Sequence, residues 1–279
     1  MTTEQKSILI TGASTGIGYY CAKALVKDGW QVIASCRKTA DVSRLQAEGV
    51  TCIQLDVSDT QSITQGLEKA LHLTNGKLDA LFNNGAYGQP GAVEDLSRDT
   101  LRKQFETNFF GWCELTNAVL KVMHQQGYGR IVHNSSVLGF AAMPFRGAYN
   151  ASKFALEGIT DTLRLELADT NIKVSLIEPG PILSDFRKNA LQALEQNIDF
   201  NSSRHGFKYA AAVNRLSKPG PASKFTLGPE AVYKKLLHAL TAKKPKPRYY
   251  VTFPTYLMGY LKRILTTRMM DNILGRISS

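Results

Sequence analysis

The sequence predicts an α/β fold: a doubly wound parallel sheet of seven strands with helices on both faces. Short apolar runs alternate with stretches of helical periodicity, and each connection is long enough to hold a helix. Runs that are apolar throughout are typical of strands covered on both faces. The predicted strands are Ser7–Ile10, Gln31–Ser35, Thr51–Leu55, Leu78–Phe82, Arg130–His133, Lys173–Ile177 and Arg248–Thr252.

Helix signals and loop composition define the organisation between these strands. Ser58 with Gln61 resembles a capping box, and Gly228-Pro229-Glu230 opens a late helix. No repeat or linker interrupts the pattern, so residues 1–279 are predicted to form one domain. Weaker periodicity over residues 183–227 predicts an insertion at the carboxyl edge of the sheet, where ligands bind.

Charge is distributed unevenly along the 279 residues, whose 43% hydrophobic and 20% charged content excludes a disordered chain. Residues 1–200 carry 19 Lys+Arg and 21 Asp+Glu, whereas residues 201–279 carry 15 and 2. The net charge of +11 therefore arises from the C-terminal part. A basic surface spread over the body is excluded, so we expect no nucleic-acid partner.

The cysteines and the N-terminus predict a reducing compartment. Four cysteines, at 21, 36, 52 and 113, form no C-x-x-C motif, and no His lies at metal-ligand spacing, so we expect buried thiols and no metal. Residues 1–7 lack the apolar stretch of a signal peptide, and no run of about 18 apolar residues is present. We therefore expect a cytoplasmic protein.

A glycine-rich turn, Thr11-Gly12-Ala13-Ser14-Thr15-Gly16-Ile17-Gly18, connects the first strand to the first helix. Glycines at these spacings allow a tight turn and close approach of the backbone to a pyrophosphate, with the helix N-terminus supplying N–H donors. A plain strand-to-helix connection is the alternative. Placement after the first strand of a βαβ unit favours dinucleotide binding.

The end of the second strand predicts which dinucleotide is bound. An acidic residue there normally binds the ribose 2′-hydroxyl, but this chain has Arg37 and Lys38. Two cations attract a 2′-phosphate, and Arg37 can bind it through two hydrogen bonds, so NADP(H) is favoured over NAD(H). The alternative is that both residues are solvated loop cations.

Tyr149 and Lys153 lie four residues apart on a predicted helix and therefore share a face. A tyrosine pKa of about 10 is too high for efficient proton exchange near neutrality. A lysine ammonium at roughly 4 Å would favour the phenolate by about 4 kcal/mol, or some 3 pKa units before desolvation opposes it. The pair is therefore expected to bring the pKa of Tyr149 towards neutrality.

Together the motifs resemble the short-chain dehydrogenase/reductase family over about residues 5–185, which implies a Rossmann-type fold. They are Thr11–Gly18, Asn83-Asn84-Gly85-Ala86, Asn108, Ser135-Ser136, Tyr149-x-x-x-Lys153 and Pro179-Gly180-Pro181-Ile182, in the family order and spacing. The order Asn-Asn-Gly-Ala departs from the commoner Asn-Asn-Ala-Gly. The resemblance also implies a homodimer or homotetramer.

Four residues receive catalytic roles from this resemblance. Tyr149 would exchange the proton with the substrate oxygen as hydride passes from the nicotinamide, and Lys153 would hold the nicotinamide ribose. Ser136 would hydrogen-bond the substrate oxygen, and Asn108 would steady a water in the proton relay. The structural alternatives are a surface tyrosine, a solvated cation, a turn serine and a satisfied core amide.

The remaining matches fill the cofactor site. Asp56 would meet the adenine amino group, although a turn-forming aspartate is the alternative. Asn83 to Ala86 would line the adenine ribose side, and Ser184 stands where the family often has Thr. The implied cofactor residues are Gly12, Ser14, Thr15, Gly16, Ile17, Gly18, Arg37, Lys38, Asp56, Val57, Asn83, Gly85, Tyr149, Lys153, Pro179, Gly180, Ile182 and Ser184.

Apolar residues between the serine and the tyrosine, and in the insertion, predict a pocket for a lipophilic aldehyde or ketone. The alternative is that they only pack the insertion against the body. His205 is a candidate substrate contact, although a lone loop histidine is more often just exposed. The residues are Met143, Pro144, Phe145, Leu183, Phe186, Phe200 and Phe207.

The C-terminal segment, about residues 254–279, is predicted to be a basic amphipathic helix. It could lie on an anionic membrane, pack over the pocket with its charges in water, or bind an acidic partner such as an acyl carrier protein. Its predicted apolar stripe is Leu257, Leu261, Ile264, Leu265, Met269 and Ile273, and an upstream basic cluster is Lys243, Lys244, Lys246 and Arg248.

The sequence thus predicts an NADPH-dependent enzyme that reduces a lipophilic aldehyde or ketone to the alcohol. Two alternatives stay open: a non-catalytic NADP-binding sensor and a 3-oxoacyl-carrier-protein reductase. Either could bind peripherally to a membrane.

Overall fold

A computed structural model describes residues 5–278. The strands are β1 (Ser7–Ile10), β2 (Gln31–Cys36), β3 (Cys52–Gln54), β4 (Ala80–Asn83), β5 (Gly129–Asn134), β6 (Ile172–Glu178) and β7 (Arg248–Tyr250). The helices are α1 (Gly16–Lys27), α2 (Thr39–Ala47), α3 (Thr60–Leu73), α4 (Arg98–Phe105), α5 (Gly111–Gln126), α6 (Gly147–Glu166), α7 (Phe186–Asn197), α8 (Gly206–Ser217), α9 (Glu230–Thr241), α10 (Phe253–Ile264) and α11 (Thr267–Ser278).

All seven strands form one parallel sheet in the order β3-β2-β1-β4-β5-β6-β7, which confirms the predicted fold class. The chain reverses its winding direction between β1 and β4, and this switch point is where an open α/β sheet binds its ligand. Individual ends differ by a few residues from the sequence prediction. The capping box at Ser58 was wrong, because Asp59 caps α3 by accepting a hydrogen bond from the Ser62 amide.

Two apolar cores cover the two faces of the sheet. On one face, α1 and α9 pack through residues such as Leu25 and Leu236. On the other, α3, α5 and α6 contribute residues such as Leu67, Trp112 and Leu156. Burial on both faces explains why the strand runs are continuously apolar.

Within the predicted insertion at 183–227 lie the helices α7 and α8. A backbone pair joins its two ends, since the Leu183 amide donates to the Leu227 carbonyl at 2.9 Å. The two helices enclose a third apolar cluster with Leu194, Tyr209 and Leu216 at its centre. We call α7 and α8 the lid.

The C-terminal segment corrects one expectation, because it forms two helices, α10 and α11, rather than one. Leu265 is extended at the break, and Thr266 begins the next turn. The buried residues are Met258, Met270 and Leu274, which pack on the segment after β5. Of the predicted stripe, Leu261, Leu265 and Ile273 are partly buried in this cluster, whereas Leu257, Ile264 and Met269 are exposed.

Within residues 5–278, none of the helices combines the length and the apolar character needed to cross a bilayer.

Candidate active site

The glycine-rich turn has the backbone geometry that the sequence predicted. Gly12 and Gly16 have φ of 65° and 59°, a region that residues with a Cβ rarely adopt. A Cβ on Gly18 would lie 2.3 Å from the Gly12 carbonyl oxygen, so α1 packs directly on the turn. No side chain caps the start of α1, and no acidic residue lies in its first turn. The amides there suit a pyrophosphate, so the turn fits a dinucleotide.

Gly85 packs against this turn and explains the departure from the family motif. A Cβ on Gly85 would lie 3.2 Å from the Gly12 nitrogen, which is tighter than an ordinary contact. The Thr11 hydroxyl accepts hydrogen bonds from the Asn84 and Gly85 amides at 2.9 and 3.0 Å. The segment after β4 is thereby fixed against the turn after β1.

Tyr149, Lys153 and Ser136 come together at the carboxyl end of β5. Tyr149 and Lys153 lie on the first turns of α6 and are buried. Ser136 follows β5 and caps a short 3₁₀ turn by accepting a hydrogen bond from the Leu138 amide at 3.1 Å. The surface alternative for Tyr149 and the solvated-cation alternative for Lys153 do not hold, because both side chains are buried, whereas the turn role of Ser136 is present.

The acidity of Tyr149 differs from the sequence expectation. Burial raises the pKa of Tyr149 to about 12, and a hydrogen bond with Ser136 opposes that rise. The predicted lowering towards neutrality was therefore wrong, because desolvation of the phenolate outweighs the favourable contacts. Tyr149 is a protonated acid throughout the neutral range.

Lys153 is held by neutral groups. Its Nζ donates to the Asn134 carbonyl at 2.7 Å and lies 4.3 Å from the centroid of the Trp112 ring and 5.8 Å from that of Tyr149. Burial lowers the pKa of Lys153 to about 7, although the Glu157 carboxylate one turn away raises it. The side chain of Lys153 can therefore lose a proton as the ammonium, or gain one as the amine, near neutral pH.

A hydrogen-bonded chain that the sequence reasoning missed connects Lys153 to the glycine-rich turn. Asn134, whose carbonyl accepts from Lys153, donates through its side chain to Asn84 at 2.8 Å. Asn84 in turn donates to the carbonyls of Thr11 and Gly12, both at 3.1 Å. The available signal was that amide side chains end two neighbouring strands, β4 and β5.

Asn108 lies in a π-helical turn, Glu106–Phe110, between α4 and α5 and is fully buried. Its amide side chain exchanges hydrogen bonds with the Tyr87 backbone at 3.2 and 2.9 Å and donates to Ser152 at 3.3 Å. Ser152 donates to the Tyr149 carbonyl at 2.8 Å. The side chain of Asn108 therefore fixes the first turns of α6, and π-turns are frequent at functional sites.

On the adenosine side, Arg37 and Lys38 are exposed at the end of β2, with no ion pair among the described residues. Asp56 follows β3, and its Oδ1 accepts from the Ser58 amide and hydroxyl at 2.9 and 2.7 Å, so the turn-forming role is present. Arg44 was missed, although it donates to the Ser14 carbonyl at 2.6 Å. Arg44 also pairs with Asp41, so the negative charge of that nearby acid is neutralised at the end of β2.

The side chain of Asn83, a predicted cofactor residue, lies in the core. Its side chain is fully buried and donates to Thr116 at 2.9 Å, within a polar group that includes the neutral His133. Burial, with the nearby charge of Lys153, lowers the pKa of His133 to about 3. As a strand residue, Asn83 directs its side chain to one face of the sheet, away from the edge that Gly85 reaches.

The segment after β6 lies against the glycine-rich turn. In this segment, Ile182 pairs with Leu227 at the base of the lid. The predicted cofactor residue Val57 lies elsewhere, after β3, and is buried beside the start of α5. A Cβ on Gly16 would lie 2.9 Å from the Cβ of Ser184, so Ser184 borders the turn. Gly180 follows the buried Pro179 and lies close to Thr252. A Cβ at this position would lie 2.2 Å from the Thr252 hydroxyl oxygen, so no side chain fits there.

The lid supplies an aromatic wall to Tyr149. The Phe186 ring, at the start of α7, lies 5.3 Å from the Tyr149 ring in an edge arrangement. Other predicted pocket residues are divided. Phe145 and Phe200 pack inside the lid cluster, Met143 packs against the C-terminal helices, and Leu183, Pro144 and Phe207 are exposed.

His205 was expected to be exposed, but it is mostly buried. Its Nε2 contacts the Glu94 carboxylate, and its ring meets the edge of Phe145 at 5.2 Å between centroids. The neighbouring Ser203 and Tyr209 donate to Asp95. Consecutive acids at 94 and 95 therefore anchor the lid.

Arg248 also departs from expectation, because it does not belong to a solvated basic cluster. Its guanidinium binds Glu157 of α6, Glu178 of β6 at 2.5 Å, and Asp161 of α6 at 2.5 Å. Ser135, beside Ser136, donates to Glu157. This arrangement, which we call the Arg248 cluster, lies one helical turn beyond Lys153 and could have been suspected from the Lys153-x-x-x-Glu157 spacing.

Comparison with known proteins agrees with this site. The short chain dehydrogenase family matches residues 6–195. The chain is 43% identical over 270 residues to the uncharacterized oxidoreductase YbbO of Escherichia coli K12, covering 97% of this chain and 94% of that protein. It is 32% identical over 260 residues to human 17-beta-hydroxysteroid dehydrogenase type 1, covering 88% and 77%.

A solved structure shows that the fold is shared over the whole length. The crystal structure of a short-chain dehydrogenase from Streptomyces avermitilis superposes with a TM-score of 0.78 at 28% identity, covering 100% of this chain and 98% of that one. The match includes the sheet whose switch point carries the glycine-rich turn. The chain belongs to the short-chain dehydrogenase family, and it is an oxidoreductase with the nicotinamide-cofactor-binding fold of that family.

Proposed function

We propose that this protein is an NADPH-dependent reductase that converts lipophilic aldehydes or ketones to alcohols. One observation carries the proposal: Tyr149 is hydrogen-bonded to Ser136, lies near Lys153 and packs against Phe186. The chain through Asn134 and Asn84 connects this group to the glycine-rich turn. A hydroxyl pair and an ammonium beside a dinucleotide turn suit hydride and proton transfer to a carbonyl.

In this mechanism, the chain supplies the proton and the environment. Bound NADPH provides the hydride. Ser136 and Tyr149 hold the carbonyl oxygen, and Tyr149 gives its proton to that oxygen as negative charge develops. Lys153 then stabilises the phenolate through its positive charge. Because the raised pKa keeps Tyr149 protonated at neutral pH, the site is prepared for reduction.

Cofactor preference rests on the end of β2. We expect Arg37→Ala to raise the KM for NADPH about 10- to 100-fold, since a hydrogen bond to a charged group contributes about 1.5–3 kcal/mol. The KM for NADH should change little. Lys69→Ala, an exposed lysine of α3, is the matched control. Equal KM values for the two cofactors in the parent protein would overturn the preference.

Substrate class follows from the wall around Tyr149. Phe186 offers an aromatic face, and the partly buried Leu138 and Met143 belong to the cluster that follows Ser136. The related human protein is named 17-beta-hydroxysteroid dehydrogenase type 1, and a hydroxysteroid is a lipophilic compound. These observations favour a lipophilic carbonyl compound over a sugar or a small acid.

Tyr149→Phe tests the reaction. With a panel of medium-chain and aromatic aldehydes, we expect kcat to fall about 10²–10⁴-fold, because the proton donor is lost. Tyr20→Phe, on α1, is the control and should retain activity. Activity in Tyr149→Phe equal to the parent would refute the assignment. Tight NADPH binding without turnover of any carbonyl would support the sensor instead.

A second candidate, reduction of a 3-oxoacyl group on an acidic carrier, is favoured by arginines around the lid. Arg146 directly precedes α6, and its pKa is lowered to about 10 by burial and by the nearby Arg215. The pKa of Arg215 is also lowered, mainly by burial and in addition by the positive charge of Arg187. A carrier-bound 3-oxoacyl substrate that reacts far faster than the same acyl group on pantetheine would favour this candidate.

A further inference from the structure

The outer face of α10 carries a stripe of large apolar and aromatic side chains that remain largely exposed to solvent. Ile264 is 78% exposed, Tyr260 59% and Phe253 58%, and all lie on one side of the helix. We call this set the α10 stripe; with the two less exposed members it comprises Phe253, Tyr256, Leu257, Tyr260 and Ile264. Spacings of three and four residues align them within about one third of the helix circumference.

Packing of the opposite face shows that α10 does not expose these residues by being detached. Thr255 and Met258 are buried, and Met258 joins the cluster formed by Met270 and Leu274 of α11. The helix is therefore fixed to the body with its apolar stripe outward. An apolar surface of this extent on a fixed helix indicates an interaction site.

Positive charge surrounds the stripe. Lys224 lies 5.2 Å from the Phe225 ring, and Phe225 stacks on Phe253 at 5.2 Å. Lys235 approaches the Tyr256 hydroxyl at 3.5 Å. Exposed Arg263 and Arg268 lie at the C-terminal end of α10 and the start of α11. Over residues 201–279 there are only two acids against 15 Lys+Arg.

We propose that the α10 stripe docks this protein on the surface of an anionic lipid bilayer. An apolar and tyrosine-rich centre inserts at the headgroup boundary, and the surrounding lysines and arginines meet the anionic headgroups. A second copy of the chain fits less well, because a symmetric contact would bring the same cations face to face. The bilayer supplies both the apolar phase and the negative charge.

The position of the stripe relative to the active site supports this occupant. Phe225 connects the stripe to Leu227, which pairs with the base of the lid at Ile182 and Leu183. Phe186 follows and reaches the Tyr149 ring. Exposed apolar residues thus extend from the docking face to the proposed substrate wall, so a lipophilic substrate could enter from the bilayer. Docking itself does not depend on the substrate.

Sedimentation of the full-length protein with vesicles tests the proposal. We expect binding to vesicles of phosphatidylcholine with 30% phosphatidylglycerol at about 50 mM salt, and at least tenfold weaker binding to pure phosphatidylcholine or at about 500 mM salt. Absence of binding to the anionic vesicles at low salt would overturn the proposal. The measurement contains no carbonyl compound, so its result is independent of the proposed reaction.

Matched variants locate the contact. Ile264→Ser should weaken vesicle binding about tenfold, because one inserted aliphatic side chain is lost. Leu165→Ser is the control, since Leu165 on α6 is 73% exposed. Arg263→Gln with Arg268→Gln should weaken binding about fivefold per charge, whereas Arg98→Gln with Arg102→Gln on α4 should not.

Two outcomes would assign the stripe otherwise. Equal binding of Ile264→Ser and Leu165→Ser would show that the membrane contact lies elsewhere. A fall in the mass measured by light scattering in Tyr260→Ser, without vesicles, would assign the stripe to an interface between copies of the chain.

Discussion

Two cations lie about one turn apart along α6, Lys153 on the helix itself and Arg248 of β7 against it, and their surroundings are opposite in kind. Lys153 is 1% exposed and has a backbone carbonyl and the Trp112 ring as its close partners. Arg248, which is about one quarter exposed, binds three carboxylates. Burial lowers the pKa of Lys153 to about 7, whereas the carboxylates outweigh burial and raise the pKa of Arg248.

The difference separates a group kept for chemistry from a group kept for structure. An ammonium without a contacting carboxylate stays available to a developing phenolate, but its burial destabilises the folded chain. Arg248 of β7 connects that strand to α6 and β6, and its guanidinium is fully occupied by these ion pairs. The helix α6 therefore carries one buried cation that destabilises the fold, Lys153, and two carboxylates that are stabilised by a cation from β7, Arg248.

The largest stability effect is expected for Arg248→Met. Removing the cation leaves the Glu157 and Asp161 carboxylates without their partner, and breaking a buried pair costs about 3–5 kcal/mol. We expect a loss of about 3 kcal/mol in the free energy of unfolding at pH 8, measured with denaturant, and less at pH 5, where protonation relieves the repulsion. Arg102→Met on α4 is the control. A change below about 1 kcal/mol at pH 8 would remove the structural role.

Lys153→Met should have the opposite effect on stability. Activity should be lost, while the free energy of unfolding rises by about 1–3 kcal/mol at pH 6.5, because a buried ammonium is replaced by an apolar chain of similar length. The lost hydrogen bond to Asn134 reduces this gain. Lys121→Met, exposed on α5, controls for added apolar surface.

The pH dependence of this gain has a definite sign. The folded-state pKa of Lys153, about 7, is below the ordinary 10.5, so the burial cost is fully present below about pH 7 and disappears as the pH approaches 10.5. The advantage of Lys153→Met should therefore shrink between pH 6.5 and pH 9.5. An advantage that grows with pH would contradict the account of an uncompensated ammonium.

Glu178→Gln should show the reverse trend and a smaller effect. Burial, together with the Glu157 carboxylate, raises the pKa of Glu178 to about 9 from 4.5, against the pull of Arg248. The cost of its charge is therefore absent below about pH 4.5 and increases up to about pH 9. Relative to the parent, the variant should gain about 1 kcal/mol in unfolding free energy between pH 5.5 and pH 8.5. No pH-dependent difference would show that Glu178 is an ordinary ion-pair partner.

The sequence predicted the parts of the site whose chemistry is local. Strand patterning gave the sheet, and glycine spacing gave a turn whose Gly12 and Gly16 have positive φ. The position of Tyr149 four residues before Lys153 placed both on one helix face. These features depend on backbone geometry and on residues close in the chain, which sequence spacing records directly.

The features that sequence reasoning missed depend on distant pairing and on burial. The bond from Asn134 to Asn84 spans 50 residues, and that from Arg248 to Glu157 spans 91. Desolvation reversed the expected pKa shift of Tyr149, because the depth of α6 in the fold is a tertiary property. Similarly, hydrophobic periodicity in α10 and α11 could not show which apolar residues would be covered.

Ser135→Ala should give the smallest effect and would test whether the two regions are coupled. The Ser135 hydroxyl connects the segment that carries Ser136 to Glu157 in the Arg248 cluster. Arg248 still satisfies Glu157 in the variant, so we expect a loss of only about 1 kcal/mol. In Arg248→Met, the same change should have a different energy, because Ser135 is then a remaining partner of Glu157. A double-mutant cycle measures this difference, and additive effects within about 0.3 kcal/mol would show that the catalytic segment and the cluster are independent.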